Sequence, residues 1–448
     1  MSGRELALQV SRRLREQGFQ ALLVGGCVRD LVLGREPADF DVATDATPDQ
    51  VLALFPNSLA VGAQFGVVVV VDGEHRVEVA TFRSDVGYSD GRHPDRVAYA
   101  RNAQEDVQRR DFTINGLLMN PESGEILDYV GGRADLKTGL IRAIGEPSRR
   151  FAEDKLRMMR AVRFAARFGY AIEAGTFAAI RHHAAEVPRI SAERLREELT
   201  KLLTEGAARR GFELLDETGL LEQVLPEVSR MKGVEQPPEF HPEGDVWIHT
   251  RMMVEMLPPG CSPTLAWGAL LHDVGKPATF VPESITGSRI RFDGHVEVGA
   301  RMAEEICRRL RFSNEDTDQV VALVSNHLRF KDVPQMRPAT LKRFVRLPRF
   351  AEHLELHRLD CLSSHRNLGT YDFVRRFLEE TPEEQVRPAR LITGDDLLEL
   401  GLTPGPRFAE ILKAVEDAQL DSQLTSKGEA VEWVRRHFVG HSLGHGNS

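Results

Sequence analysis

The period of the apolar positions along this chain changes once, near residue 145. Residues 4 to 17 carry apolar side chains at helical spacing, and Gly18 stands where a helix stop belongs. A run from Ala21 to Val24 meets Gly25-Gly26, a brief helical pattern reaches Gly34, and a second run carries Asp39 and Asp41, which predicts strand, turn, helix, strand. Thr47-Pro48 predicts a helix start, with the hydroxyl as cap and proline in the first turn. Val67 to Val71, Asp72-Gly73 and Arg76 to Phe82 predict a hairpin. Residues 84 to 96 are polar and rich in glycine and basic side chains, which predicts a mobile loop, and a short strand pair is expected around Asp128-Tyr129, before Gly131-Gly132. From about Pro147 the period of two is lost and the remainder reads as helix. The expected class is therefore α+β, a mixed-sheet head followed by an all-α body, with polar residues 440 to 448 fraying at the end.

At 448 residues the chain has room for two to four domains, and 42% hydrophobic with 28% charged residues is ordinary for a water-soluble protein. No stretch approaches the roughly 18 uncharged apolar residues of a membrane span, and the first ten residues lack a signal-peptide pattern, so a cytoplasmic protein without membrane partners is expected. Cys27, Cys261, Cys307 and Cys361 are scattered, which points to reduced core residues and to neither a zinc knuckle nor a disulfide framework. The net charge of −9 argues against indiscriminate coating of nucleic acid, yet arginine is dense between Arg142 and Arg210, where one face can be basic. Oligomeric state is left open.

Candidate chemistry begins in the stretch from 18 to 47. On a strand, residues two apart share a side, so Asp39 and Asp41 are expected to face one space and share divalent cations. A helix beginning after Gly25-Gly26 would aim backbone N–H groups at an anion there. Each feature alone is weak: an Asp-x-Asp pair is usually a solvated turn, and the double glycine fits neither a P-loop nor a dinucleotide fingerprint. Glu78 lies on the opposite face from Val77 and Val79; it is a third carboxylate if that face presents the aspartates, and an ordinary exposed glutamate otherwise. Further on, Asp154, Arg157, Arg160 and Arg163 recur every third residue and form one polar stripe on a predicted helix, with Leu156, Met159, Val162 and Phe164 left for a core. The bland reading is a salt-bridged surface helix. The sharper one is a base reader: a carboxylate accepting from an exocyclic amine beside an arginine donating to a ring nitrogen admits cytosine and adenine and rejects uracil and guanine.

Taken in order, Gly25-Gly26-x-Val28-Arg29-Asp30, Asp39-x-Asp41, Arg109-Arg110-Asp111-Phe112-Thr113-Ile114-Asn115 and Glu153-Asp154-x-x-Arg157-x-x-Arg160-x-x-Arg163-Phe164 resemble the motifs of class II tRNA nucleotidyltransferases (CCA-adding enzymes) and bacterial poly(A) polymerases. Ile190-Ser191-Ala192-Glu193-Arg194 with Glu197-Glu198-Leu199 resembles the family's helix-stabilising motif, so the likeness covers about 210 residues. It implies a polymerase-β-like head with Mg²⁺ on Asp39 and Asp41, and Glu78 as a further catalytic carboxylate before Thr81-Phe82-Arg83. It also implies contacts of Gly25, Gly26, Arg29 and Arg110 with an incoming nucleotide, Asp154 and Arg157 on its base, and Arg160 and Arg163 near its phosphates. The implied reaction is two-metal phosphoryl transfer, in which an RNA 3′-hydroxyl attacks the α-phosphorus of CTP or ATP, with tRNA as partner. An A-adding or CC-adding enzyme and a poly(A) polymerase would share this site.

The second half carries its own pattern: His249, His272-Asp273, His295, His327 and Asp360, within helical periods and around Leu270-Leu271-His272-Asp273-Val274-Gly275-Lys276-Pro277. Lone histidines are more often capping or core residues, but imidazoles and carboxylates from separate helices can converge on a divalent metal. The pattern resembles the HD phosphohydrolases, which implies metal on His249, His272, Asp273 and Asp360, with His295 and His327 matching two-metal versions. Residues 392 to 406 resemble a tail segment of HD-containing members and otherwise read as a loop without chemistry. The expected organisation is a head at 1–145, a neck and body that read bases and bind RNA at 146–235, an HD-type helical domain at 236–370 and a helical tail at 371–448. From other classes, the chain could be an HD phosphohydrolase with an inert head, or an RNA-binding scaffold without catalysis.

Overall fold

The computed structural model of the chain describes residues 2–60, 66–86, 96–100, 102–239 and 241–439. Helix α1, Gly3–Glu16, starts on a Ser2/Glu5 capping box and stops before Gly18, whose φ of 87° suits only glycine. Strand β1, Ala21–Val24, leads through Gly25 into α2, Gly26–Val32, and then β2, Asp41–Thr44. Helix α3, Pro48–Leu54, starts at Thr47 as expected, with a capping box to Gln50. Strand β3, Ser58–Leu59, precedes the hairpin of β4, Val67–Asp72, and β5, His75–Thr81, whose two-residue loop places Gly73 at a φ of 60°. Strands β6, Arg83–Val86, and β7, Arg96–Tyr99, pair as a separate ribbon, so the ends of the expected loop are strands; its centre, 87–95, lies outside the described residues, as does the 440–448 tail. Helix α4, Ala103–Gln108, strands β8, Leu117–Met119, and β9, Ile126–Asp128, and helix α5, Gly132–Thr138, complete the head.

The seven-stranded sheet runs β3-β4-β5-β2-β1-β8-β9. Its pairings are antiparallel except β2 with β5, which run parallel and set Asp41 directly opposite Glu78. Val24, Ala43, Phe82, Val107, Leu118 and Ile144 fill one core of this head. Helices α6, Pro147–Glu153, and α7, Leu156–Phe168, open the helical part where the change of period placed it. One strand pair still spans that boundary, because Leu140–Ile141 pairs in parallel with Ala171–Ile172, two residues being too short for a visible alternation.

The chain resolves into two compact units, one of Met1–Arg230 with the segments Leu257–Pro263 and Arg308–Phe312, the other of Met231–Met256, Thr264–Cys307 and Ser313–Ser448. The second unit is helical, and its tail from Ile392 packs on itself through Leu397, Ile411, Val415, Ala430 and Val434. The described cysteines are free, and all but Cys261 are buried. No described helix is long and apolar enough to cross a membrane.

Candidate active site and metal centre

In the head, Gly25 caps α2 at a φ of 75° and a ψ of −129°, a conformation closed to residues with a Cβ. A Cβ on Gly25 would lie 3.4 Å from an Arg110 guanidinium nitrogen, so the double-glycine turn forms a floor with that cation above it. Asp41 opens β2, and its in-register neighbour Glu78 is exposed while Val77 and Val79 are buried, which puts both carboxylates on the open face. Asp39 is not on the strand as expected; it sits exposed in the bend before it. It still acts on Asp41, whose pKa is pushed up to about 6 by burial and by the charges of Glu78 and Asp39, against the pull of Arg110. A half-buried carboxylate raised by two like charges is an electrostatic deficit that a divalent cation would fill.

Arg110 is aimed by Asp106, whose buried carboxylate takes Arg109 on one oxygen, at 2.6 Å, and Arg110 on the other, at 2.9 Å. These partners stand three and four residues after Asp106, at and just past the end of α4, a spacing visible in the sequence, and Asp106 is nevertheless a residue the motif reading missed. Arg29 is buried: it pairs with Asp30, donates to Asn115 at 2.8 Å and lies over the Phe168 ring.

The stripe expected on one helix is interrupted. Asp154 is the extended C-cap of α6, and α7 begins two residues later, so the carboxylate sits at a helix break. It is gripped bidentately by Arg194, at 3.1 and 2.7 Å, a partner the spacing did not reveal. Arg157 donates to Glu153 and to the backbone oxygen of Arg109 at 2.8 Å, which ties it to the residue beside Arg110. Arg160 pairs with Asp111 at 2.7 Å, and Asp111 in turn accepts from Asn115, the partner of Arg29. Arg163 is buried and bound to Glu198 and Glu205, against its expected place among free phosphate contacts. Leu156, Met159, Val162 and Phe164 are core, as the period required. The Arg109–Asn115 segment thus sets the Arg110 charge beside the glycine turn and Asp41 and bonds to Arg29, Arg157 and Arg160.

The second unit gathers every histidine and aspartate singled out there. His249 comes from the helix Val246–Glu255, His272-Asp273 from the end of Pro263–Leu271, His295 from the first turn of His295–Arg309, His327 from the end of Asn314–Asn326, and Asp360 from Phe350–Ser363. Ligand atoms of His249, His272 and Asp360 lie within 4.8 Å of one another, and so do those of Asp273, His295 and His327. Gly275 explains the motif's glycine: a Cβ there would stand 2.2 Å from the His295 carbonyl oxygen, so only glycine lets the His-Asp turn meet that helix.

The Nδ1 atoms of His272, His295 and His327 lie 3.0, 2.8 and 2.7 Å from the carbonyl oxygens of Ala269, Phe292 and Val324. That places their protons on Nδ1 and turns each Nε2 lone pair inward. The Nε2 atoms of His295 and His327 are buried with no hydrogen-bond partner, the state of ligands shaped for a metal. Burial holds His327 down at about 4, so it stays neutral and able to ligate. His249 differs: despite burial, Asp360 and Glu243 lift it to about 9, so a metal would have to displace a proton there. Lys276 lies 2.6 Å from Asp273 and 2.6 Å from Gln236. Glu243, Gln236 and the role of Lys276 were not legible as site residues; Glu243, with His241 and His249, forms a further group whose ligand atoms lie within 4.8 Å of one another.

A mixed-sheet head with a carboxylate pair beside a glycine turn and a helical unit with a convergent histidine-aspartate cluster define the class, and comparison with known proteins agrees. The Poly A polymerase head domain matches residues 21–142, the probable RNA and SrmB-binding site of polymerase A matches 169–232, and the HD domain matches 245–362. The CCA-adding enzyme of Levilactobacillus brevis is 32% identical over 432 residues, 95% of this chain and 96% of that protein. That of Geobacillus stearothermophilus is 46% identical over 214 residues, 48% of this chain, and against this relative the chain spans about half the length, 53%. The crystal structure of the Bacillus stearothermophilus CCA-adding enzyme in complex with CTP superimposes with a TM-score of 0.74 at 27% identity, covering 98% of each chain. The chain belongs to the CCA-adding enzyme family.

Proposed function

We propose that this protein is a template-independent tRNA nucleotidyltransferase that completes the 3′ end of tRNA with C, C and A from CTP and ATP. The observation that carries the reading is the in-register pair Asp41 and Glu78, with the Arg110 charge acting on Asp41 beside the Gly25-Gly26 turn and Arg157 bonded to the neighbouring Arg109. Asp39 and Asp41 are the groups that would hold Mg²⁺, which supplies charge neutralisation for the triphosphate and an activated RNA hydroxyl. Glu78 completes the acidic face. Gly25 and Gly26 leave room for phosphates to approach the backbone, and Arg110 neutralises them. Asp154 offers its carboxylate to the exocyclic amine of C or A, and Arg157 donates to the ring nitrogen. The ion pairs of Arg29, Arg160 and Arg163 give these three residues a positioning part: Arg160 ties the reader to Asp111 of the head, Arg29 is fixed within the head by Asp30 and Arg163 within the helical body by Glu198, and each reaches phosphate only by exchanging partners. We place the head at 1–145, the neck and body at 146–235, the HD domain at 236–370 and the tail at 371–448, in a cytoplasmic protein.

Purified protein incubated with tRNA lacking one, two or three terminal nucleotides, with CTP and ATP supplied separately and together, tests the reading. Ordered C, C, A addition is expected. Extension with A alone, or of unrelated RNA only, would move the assignment to an A-adding enzyme or a poly(A) polymerase. Asp154→Ala and Arg157→Ala are expected to relax the preference for C and A over U and G by about tenfold or more, because each bidentate base contact carries discrimination of that order. Single-nucleotide incorporation with the four nucleotides checks this, and equal loss with all four would contradict it. Asp106→Ala is expected to raise the KM for CTP about tenfold with a smaller fall in kcat, since Arg110 loses the carboxylate that aims it. Steady-state kinetics separates the two constants.

A second activity is proposed on a separate observation, the convergence of His249, His272, Asp273, His295, His327 and Asp360. These residues would hold one or two divalent cations, which supply an activated water for hydrolysis of a phosphate ester. Manganese-stimulated hydrolysis of phenyl phosphate, lost in His272→Ala, is the expected result.

A further inference from the structure

A cavity of about 430 Å³ opens beside the histidine-aspartate centre, with the candidate ligands Asp360 and His327 on one wall. This volume lies in the range of small-molecule sites, about 300–1,000 Å³. The metal cluster needs no such space, so the cavity calls for its own explanation. Asp360 is the one carboxylate lining it, although the chain as a whole is acidic. Away from Asp360 the lining offers donors: Lys331, His365 and Asn367.

Local hydrogen bonds fix what these groups present. The backbone N–H of Asn367 donates to His365 Nδ1 at 3.0 Å, which puts the proton of that imidazole on Nε2. The side-chain oxygen of Asn367 accepts from the Gly369 N–H at 2.9 Å, so its amide nitrogen is the end left to donate. Thr370 is held 2.7 Å from His357 Nε2, and His357 lies flat on Phe330 at 4.3 Å between centroids, which makes a rigid side wall. Asn367 and Thr370 also flank the start of the helix Gly369–Glu380, whose dipole favours an anion. An ammonium, an imidazole N–H, an amide N–H and a helix start around one space suit an anion held apart from the histidine-aspartate cluster.

We infer that this cavity binds the second phosphate of a bisphosphorylated small molecule whose first phosphate is the one hydrolysed at the histidine-aspartate centre. The inference rests on the phosphohydrolase reading above and names its substrate class. In the reaction a water oxygen joins phosphorus, the P–O ester bond breaks, and the departing alcohol keeps one of the water's protons. Lys331, His365 and Asn367 hold the distal phosphate and orient the ester; none touches the reacting phosphorus.

The test uses the full chain with Mn²⁺, and calorimetric titration with glucose 1,6-bisphosphate and glucose 6-phosphate, sugars that offer the base reader of the head nothing to pair with. Wild type is expected to bind the bisphosphate about tenfold more tightly than the monophosphate, the scale of a charge-assisted hydrogen bond. Lys331→Ala and Asn367→Ala are expected to erase that preference while leaving monophosphate affinity and Mn²⁺ content, read by electron paramagnetic resonance, unchanged. Lys331→Arg should restore it. Equal affinities in wild type, or a preference surviving in Lys331→Ala, overturns the inference and leaves the metal reading standing. A preference lost in Asp41→Asn moves binding to the head and also overturns it. A chain that takes up no Mn²⁺ at His272 removes both readings together.

Discussion

Asp41→Asn is expected to lower nucleotide incorporation about a thousandfold and, in the same protein without metal, to raise the melting temperature at pH 7. The first effect follows from removing a charge aimed at the reacting centre, where electrostatic groups carry losses of this order. The second follows from the state of that charge when no cation is present. Its folded pKa of about 6 stands above the ordinary 3.8 because burial and the Glu78 and Asp39 carboxylates disfavour ionisation more than Arg110 favours it. A raised acid contributes stability that is complete below pH 3.8 and lost as the pH climbs through 6. Asparagine cannot ionise, so the variant's advantage should be absent near pH 4, grow up to pH 6 and stay constant above it. Saturating Mg²⁺ should reverse the order of the two proteins, because only wild type binds it tightly. Melting curves from pH 4 to 8, with and without Mg²⁺, read this directly. A variant that melts lower than wild type at pH 7 without metal would falsify the view of Asp41 as a group destabilised in readiness for a cation.

The head was legible in the sequence where period and turn chemistry agreed. Gly18, Thr47-Pro48 and Asp72-Gly73 each sit at the element boundary their chemistry dictates. The alternation of Glu78 against Val77 and Val79 also gave the face of its carboxylate, while the parallel pairing that brings Asp41 opposite it is a long-range register that no local pattern encodes. The stripe of Asp154, Arg157, Arg160 and Arg163 was visible as a spacing and misread as geometry. Period three continued through Asp154, but the chain turns there, because Arg194 from a helix forty residues away captures the carboxylate at a helix end. For the same reason Arg160 and Arg163 looked free. Their partners Asp111, Glu198 and Glu205 are remote in sequence, and charge spacing along one helix says nothing of acids brought to it by another. The histidine-aspartate cluster went the other way: the residues that converge were named in order, whereas the carbonyl contacts that orient them are backbone features without a sequence signal.

Asp273→Ala is expected to empty the whole of that centre, and His295→Ala only part of it. The two oxygens of Asp273 face different neighbours: Oδ2 lies 3.1 Å from His272 and 2.6 Å from Lys276, and Oδ1 lies 3.7 Å from His295 and 3.8 Å from His327. One carboxylate therefore serves both ligand groups, and its loss should reduce bound Mn²⁺ from about two per chain to none, against about one for His295→Ala. The same change leaves the buried Lys276 ammonium without its carboxylate, facing only Gln236 and the Phe292 ring among the described residues, so metal-free Asp273→Ala should also be less stable by about 3–5 kcal/mol, the cost of breaking a buried pair from one side. The two consequences separate in the double variant Asp273→Ala with Lys276→Met, in which no buried charge is stranded. It should recover most of the stability in a denaturant titration and none of the Mn²⁺, because methionine repairs the packing and offers no hard ligand. Return of the metal in that double variant would mean that Asp273 only balances Lys276 and that the histidines ligate unaided; loss of nucleotide incorporation in a stable double variant would mean that the centre serves the head's reaction and not one of its own.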